Sequence, residues 1–171
     1  ETGSVPHASD DNFFEFNERI NFDYKISSNH NFNLNVLFNY AHEQPKDDLA
    51  SKHAGFEVAG FPRKKISIVS GLTYESKLFS RKLTNMLSAK HYYLNSKIDD
   101  LTSYEISTPP KQKENTASQF GWIEALKYEP FNGFHLKASY QRAIRLPNSK
   151  ELFGDGIITF PAAGLKPEKS H

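Results

Sequence analysis

The stretch Asn31-Phe32-Asn33-Leu34-Asn35-Val36-Leu37-Phe38-Asn39-Tyr40-Ala41 decides the fold. Phe32, Leu34, Val36, Phe38 and Tyr40 recur at every second position, with Asn33, Asn35, Leu37 and Asn39 between them. Successive side chains of a strand point to opposite faces, so this spacing gathers the apolar residues on one face, whereas a helix would scatter them all round. The run has about the 9 to 11 residues that a tilted strand needs to cross a bilayer.

Upstream, Phe14, Phe16, Ile20, Phe22 and Tyr24 alternate with Glu15, Asn17, Arg19, Asn21, Asp23 and Lys25, and Glu18 alone breaks the apolar face. Ser27-Ser28-Asn29-His30 joins the two runs as a polar turn, which makes them an antiparallel hairpin. A second pair is expected over Ile66 to Glu75 and Leu83 to Asn95, connected by Ser76 to Lys82. Its second member puts Asn85, Leu87, Ala89, His91 and Tyr93 on one face. A third pair, Phe120 to Glu129 and Phe134 to Arg145, surrounds Pro130-Phe131-Asn132-Gly133, where Asn-Gly is a strong turn signal.

Long polar segments cover 42–64, 97–118 and 146–171, so short and long connections alternate. All short turns then lie at one end of the sheet and all long loops at the other, the layout of outer-membrane barrels. The expected fold is all-β, an antiparallel transmembrane β-barrel segment of six strands in three hairpins. Six strands are too few to close such a barrel, so residues 1–171 read as one part of a larger one. A soluble β-sandwich binding or adhesion module shares the alternation and stands as the alternative. Strand length and the charges on the opposite face favour the barrel.

Composition agrees with strands that have one apolar and one wet face: 14 Phe and 8 Tyr accompany a hydrophobic fraction of only 37% and a mean hydropathy of -0.63. Disordered chains are short of aromatics. No window approaches the length of an apolar transmembrane helix, which leaves strands to carry any membrane role. Without cysteine there is no disulfide framework and no cysteine metal site. Twenty-one basic against 20 acidic residues make no electrostatic case for nucleic acid, and Arg63-Lys64-Lys65 reads as a solvated strand start. The seven histidines lack metal-ligand spacing. Gly154-Asp155-Gly156 is a turn rather than a phosphate loop, and no nucleophile elbow occurs. No catalysis, metal or cofactor is expected.

Leu136-Lys137-Ala138-Ser139-Tyr140-Gln141-Arg142-Ala143-Ile144-Arg145-Leu146-Pro147 resembles the strand and following loop of TonB-dependent receptor barrels, where an aromatic-bearing strand ends in an Arg, a hydrophobe and Pro. Glu151-Leu152-Phe153-Gly154-Asp155-Gly156 and Leu165-Lys166-Pro167-Glu168-Lys169-Ser170 resemble the rest of that signature, whose second element leads into the next strand. Ala162-Ala163-Gly164 departs from it, since relatives tend to place Asn and Pro there. The resemblance implies a Gram-negative outer-membrane protein for active uptake of a scarce nutrient, an iron chelate, haem, cobalamin or glycan. It further implies a barrel of about 22 strands, surrounded by outer-membrane lipid and filled by a plug domain through which the TonB energy-transducing complex acts. The plug and the remaining strands would lie outside this sequence, which reads as an internal excerpt.

With the short turns periplasmic, Leu146 to His171 is expected outside the cell. Pro147, Pro161 and Pro167 fix φ there, Gly154 and Gly156 permit tight turns, and Leu152, Phe153, Ile157, Ile158 and Phe160 are expected to give the loop an apolar cluster of its own. A loop so packed presents a definite surface. The candidate ligand contacts are Arg145, Pro147, Glu151, Leu152, Phe153, Asp155 and Phe160, and the candidate lipid-facing residues are Phe32, Leu34, Val36, Phe38 and Tyr40.

Overall fold

The computed structural model describes residues 9–47, 61–100, 111–154, 162 and 164–170. The period-two segments become β1 (Ser9–Ser27), β2 (His30–Asp47), β3 (Arg63–Leu78), β4 (Leu83–Asp100), β5 (Lys111–Phe131) and β6 (Phe134–Arg145), and a short β7 (Glu168–Ser170) follows. They form one antiparallel sheet ordered as in the chain, with β1 and β7 at its open edges. The single helix among the described residues is α1 (Ser149–Phe153).

Register keeps like with like. Residues facing each other across an antiparallel ladder share a face, and the pairs Tyr24↔Phe32, Phe32↔Tyr74 and Tyr74↔Leu87 extend one apolar row over four strands. Phe32, Leu34, Val36, Phe38 and Tyr40 lie on that face together, as the alternation requires. The opposite, polar face carries paired amides and acids: Asn33 Nδ2 donates to Asp23 at 2.8 Å, Asn39 Nδ2 to Asn17 at 2.8 Å, and Asn35 Nδ2 bonds Asn21.

Three differences from the sequence reading have physical causes. The strands run past their expected ends: β2 reaches Asp47, and β5 begins at Lys111 rather than Phe120. Backbone ladders continue through polar residues where the apolar pattern has stopped. A seventh strand exists because Ala143, Ile144 and Arg145 pair with Ser170, Lys169 and Glu168. The connection at 76–82 contracts to Phe79–Lys82, where Phe79, Ser80 and Arg81 hold φ of 52°, 53° and 69°. Positive φ in three successive non-glycine residues has no sequence signature of the Asn-Gly kind. That signature is met in the β5–β6 turn, where Gly133 has φ 85°.

The buried hydrophobic residues, Ala41, Leu94, Ile98, Ile144, Leu152 and Phe153, all lie at the long-loop end. Elsewhere the described residues of the sheet form no core. Phe14, Ile20, Phe22, Leu72, Phe120, Leu136 and Tyr140 are among many large apolar residues left exposed.

Candidate functional site

After β6 the chain turns back over the polar face. Arg142 is the last β6 residue paired with β5 before the strand swings across it. Gly121 lets it pass, because a Cβ there would stand 2.8 Å from the Arg142 carbonyl oxygen and 3.2 Å from Tyr92 Cε2. Pro147 and Asn148 then open α1. Asn148 caps the helix by accepting from the Glu151 amide at 2.8 Å, and Glu151 returns the bond by accepting from the Asn148 amide at 2.8 Å. This reciprocal box satisfies two of the amides that a helix start leaves unpaired. Gly154 ends the helix at φ 80°, its amide donating to the Lys150 carbonyl.

Leu152 and Phe153 are wholly buried against Ala41, Leu94 and Ile98, with Ala117 and Leu146 beside them. Phe153 meets the Phe13 ring edge-on at 6.5 Å. The expected self-packed cluster is therefore corrected: these two side chains pack on the sheet, and Ile157, Ile158 and Phe160 lie outside the described residues, as does Asp155. Burying a Leu and a Phe contributes on the order of 1.5–3 kcal/mol each, which is what holds a single helical turn in place.

Polar contacts fix its orientation. Arg63 Nη1 donates to Glu43 Oε2 at 2.8 Å and to the Phe153 carbonyl oxygen at 2.9 Å, both buried. Ser149 Oγ donates to Glu15 Oε1 at 3.3 Å, and buried Lys65 lies within electrostatic reach of Glu15 and Glu151. The reading of Arg63-Lys64-Lys65 as a solvated start holds only for Lys64. Arg63 and Lys65 are buried because α1, some ninety residues later in the chain, covers them.

Arg145 stands outside this cluster as a clamp. Its guanidinium donates to both carboxylate oxygens of Glu151 at 2.9 and 3.1 Å, and to Glu168 at 2.9 and 3.0 Å. The Glu151 carboxyl is held below the usual range by the Asn148 amide and then by Arg145, and that of Glu168 by Arg145. Of the seven candidate contacts, Leu152, Phe153 and Pro147 are buried, Arg145 and Glu151 bind each other, and Asp155 and Phe160 are not among the described residues. The residues missed by sequence reasoning are Glu15, Glu43, Arg63 and Lys65, whose placement depends on a tertiary contact. Asn148-x-x-Glu151 was a readable capping signal.

The apolar face has a geometry of its own. Along each strand the outermost apolar residue of this face toward the long loops is Phe14, Tyr40, Ile66, Tyr93, Phe120 or Tyr140; polar residues follow on β1 to β5, and on β6 Arg142 follows before the strand swings over and buries Ile144. This border runs obliquely. The ladder level with Phe14 passes through His42, Lys64, Lys97 and Glu114, yet on β5 the apolar run begins only at Phe120, six residues beyond Glu114. Six residues are about 20 Å and four strand spacings about 19 Å, so the border crosses the strands at roughly 45°. The face is also imperfect: Glu18 faces Phe38, Glu124 faces Tyr140, and Asn85 donates to Glu124 at 3.4 Å.

Comparison of the chain with protein-family models, curated sequences and solved structures finds no match. Among the described residues no cluster of His, Asp or Glu could hold a metal.

Proposed function

We propose that this chain is wall material of an outer-membrane β-barrel of the TonB-dependent receptor kind, serving uptake of a scarce nutrient rather than catalysis. The observation that carries the reading is the oblique border. In a transmembrane barrel the strands tilt about 35–45° from the axis while the bilayer surface is level, so the edge of the lipid-facing band must depart from the perpendicular to the strands by about the tilt angle. Five of the six border residues are aromatic, as an interfacial girdle requires. From Phe32 to Tyr40, or Phe120 to Tyr128, eight residue steps at that tilt give roughly 19 Å of height before side chains add to it, close to the usual apolar band of about 25 Å.

On this reading the apolar face meets lipid and the polar face lines a lumen. The segment Leu146–Gly154 is then a constriction folded inward at the extracellular mouth, positioned to narrow the passage for a small molecule or oligosaccharide and to yield when it passes. Glu18 and Glu124 are a cost, smaller for acids than for Arg or Lys, and Glu18 lies on the β1 edge where a further strand would pair.

A soluble sandwich would need a second sheet over the apolar face. Fractionation of the full-length protein separates the two. The barrel reading expects it in the outer membrane, extractable only with detergent and folding into lipid vesicles, and a monodisperse detergent-free protein would overturn it. A Cys at exposed Lys150 should react slowly with an impermeant thiol reagent on intact cells, and labelling only after the outer membrane is broken would reverse the topology.

A further inference from the structure

We infer that Lys127 and Lys137, with the hydroxyls of Thr84 and Ser139, form a binding site for a small organic anion carrying two or more carboxylates. The site lies on the polar face toward the short turns and needs only the sheet. Its place in a lumen, near the periplasmic opening, rests on the barrel reading. One polar-face row there runs Lys77, Thr84, Lys127, Lys137 across β3 to β6. Lys127 and Lys137 stand directly opposite each other, and like charges so placed destabilise a ladder. The chain does little to offset them. Lys77 Nζ lies 3.2 Å from Glu75 and Lys127 Nζ 3.4 Å from Glu129, all four side chains open to solvent, where such pairs are worth little. Glu129 is shared, since its Oε2 also lies 3.3 Å from His135 Nδ1. Lys137 has no ion pair or hydrogen bond among the described residues.

Beside the pair the sheet is hollow. A pocket of about 330 Å³ is lined by Thr84, Lys127 and Lys137 from this row and by Met86, Ala125 and Ser139 from the next. Glu75 also lines it and is engaged by Lys77. Ala125 and Ser139, opposite each other, are both small, which leaves the space open. The volume is near the lower end of the range for ligand pockets. Row order sorts the lining by chemistry, with charge on the turn side and carbon beside a hydroxyl on the other. Two ammonium groups on separate stems are two point charges, not the fixed fork of an Arg. They suit two carboxylates held apart on a carbon frame better than one tetrahedral anion. The frame then lies against Met86 and Ala125, contacts that an inorganic anion does not make, and the two hydroxyls donate to the same carboxylates.

The test uses the full-length protein, with calorimetric titration to read affinity and thermal unfolding to read stabilisation. The probes are tricarballylate, its trimethyl ester and inorganic phosphate. Tricarballylate should bind and raise the unfolding midpoint, and the other two should do neither. Its binding should weaken about tenfold or more in K127Q/K137Q, which loses two charge-assisted contacts, and less in K77Q, whose lysine is held by Glu75. Without ligand K127Q/K137Q should unfold no earlier than wild type, because a repulsion has been removed. An earlier transition would make the pair structural and overturn the site. Equal binding of the ester or of phosphate, or undiminished binding by the double variant, would overturn it as well. The same titrations run with detergent or without it, so a protein that proves soluble would overturn the barrel reading alone, and a loss of binding specificity the site alone.

Discussion

At the long-loop end of the polar face Leu152 and Phe153 close over Ala41, Leu94 and Ile98, while toward the short turns the same strands carry Asn and Asp side chains bonded only to one another. The strands and their alternation are the same at both ends. What differs is cover: a returning segment shuts out water at one end, and nothing among the described residues does so at the other. Charges respond accordingly. Arg63 and Lys65 are buried, with Arg63 paired to Glu43, whereas Asp23 and Lys25 toward the turn stay exposed. The polar face is thus an open wall with one covered end, and its stability should divide the same way.

The largest expected effect tests that division. Phe153→Ala should cost about 3–5 kcal/mol of the docking of α1, read as fast hydrogen exchange at Leu152 and Gly154, whose amides donate to Asn148 and Lys150. Amides of β2 near Asn33 should keep their protection. If both regions lose protection together, the two ends form one cooperative unit and the contrast between them fails.

Next in size is a contrast between faces. Phe38→Arg should cost about 2–4 kcal/mol if the residue meets the bilayer interior, while Asn21→Arg on the exposed polar face should stay within about 0.5 kcal/mol. Folding titrations into vesicles measure both, and equal costs would reject the assignment of faces. Asn39 is not a fair control, although it shares the face of Asn21. It is buried, donates to Glu15 at 2.6 Å and accepts from Ser67.

A smaller effect concerns the point where β6 leaves the ladder. Gly121→Ala should cost about 1–3 kcal/mol, because the new methyl meets backbone that must shift. Gly71→Ala crowds only the flexible Lys90 side chain, at 3.3 Å from Cγ, with the Ala89 carbonyl oxygen at an ordinary 3.9 Å, and should cost less. Denaturant unfolding of the two variants ranks them, and an equally mild pair would mean that the crossing of β6 over β5 is not tight.

The sequence made the strands, their alternation and the polar face legible, because side-chain alternation is a local property that a single apolar run such as 31–41 displays in full. Glu18 on the apolar face and the Asn132-Gly133 turn were legible for the same reason. The cover at the long-loop end was not. A five-residue helix is too short for a 3.6-residue period to show, and Leu152 and Phe153 look alike whether they pack on each other or on a distant strand. The burial of Arg63 depends on Phe153 ninety positions away, a distance at which no local pattern carries information.

The smallest expected effect concerns the clamp at the covered end. Folded Glu151 and Glu168 have carboxyls below the usual value of 4.5. A depressed carboxyl stabilises the folded segment above its unfolded value, and that contribution is lost as pH falls through the folded one. Protection of Leu152 and Gly154 should therefore be flat from neutral pH down to about 4.5 and decline below it. The decline should be modest, since both partners are solvent-exposed and screened. Glu15 and Glu43 also face α1 from the sheet, so the variant decides the cause. Gln serves as well as Glu in a capping box, so Glu151→Gln keeps the bond to Asn148 and removes the charge together with one of the two oxygens that accept from Arg145. That variant should be less protected than wild type at neutral pH and should lose part of the acid-dependent decline. An unchanged decline would place its cause outside the Glu151 carboxyl, leaving the Arg145 clamp without a share in holding α1 on the sheet.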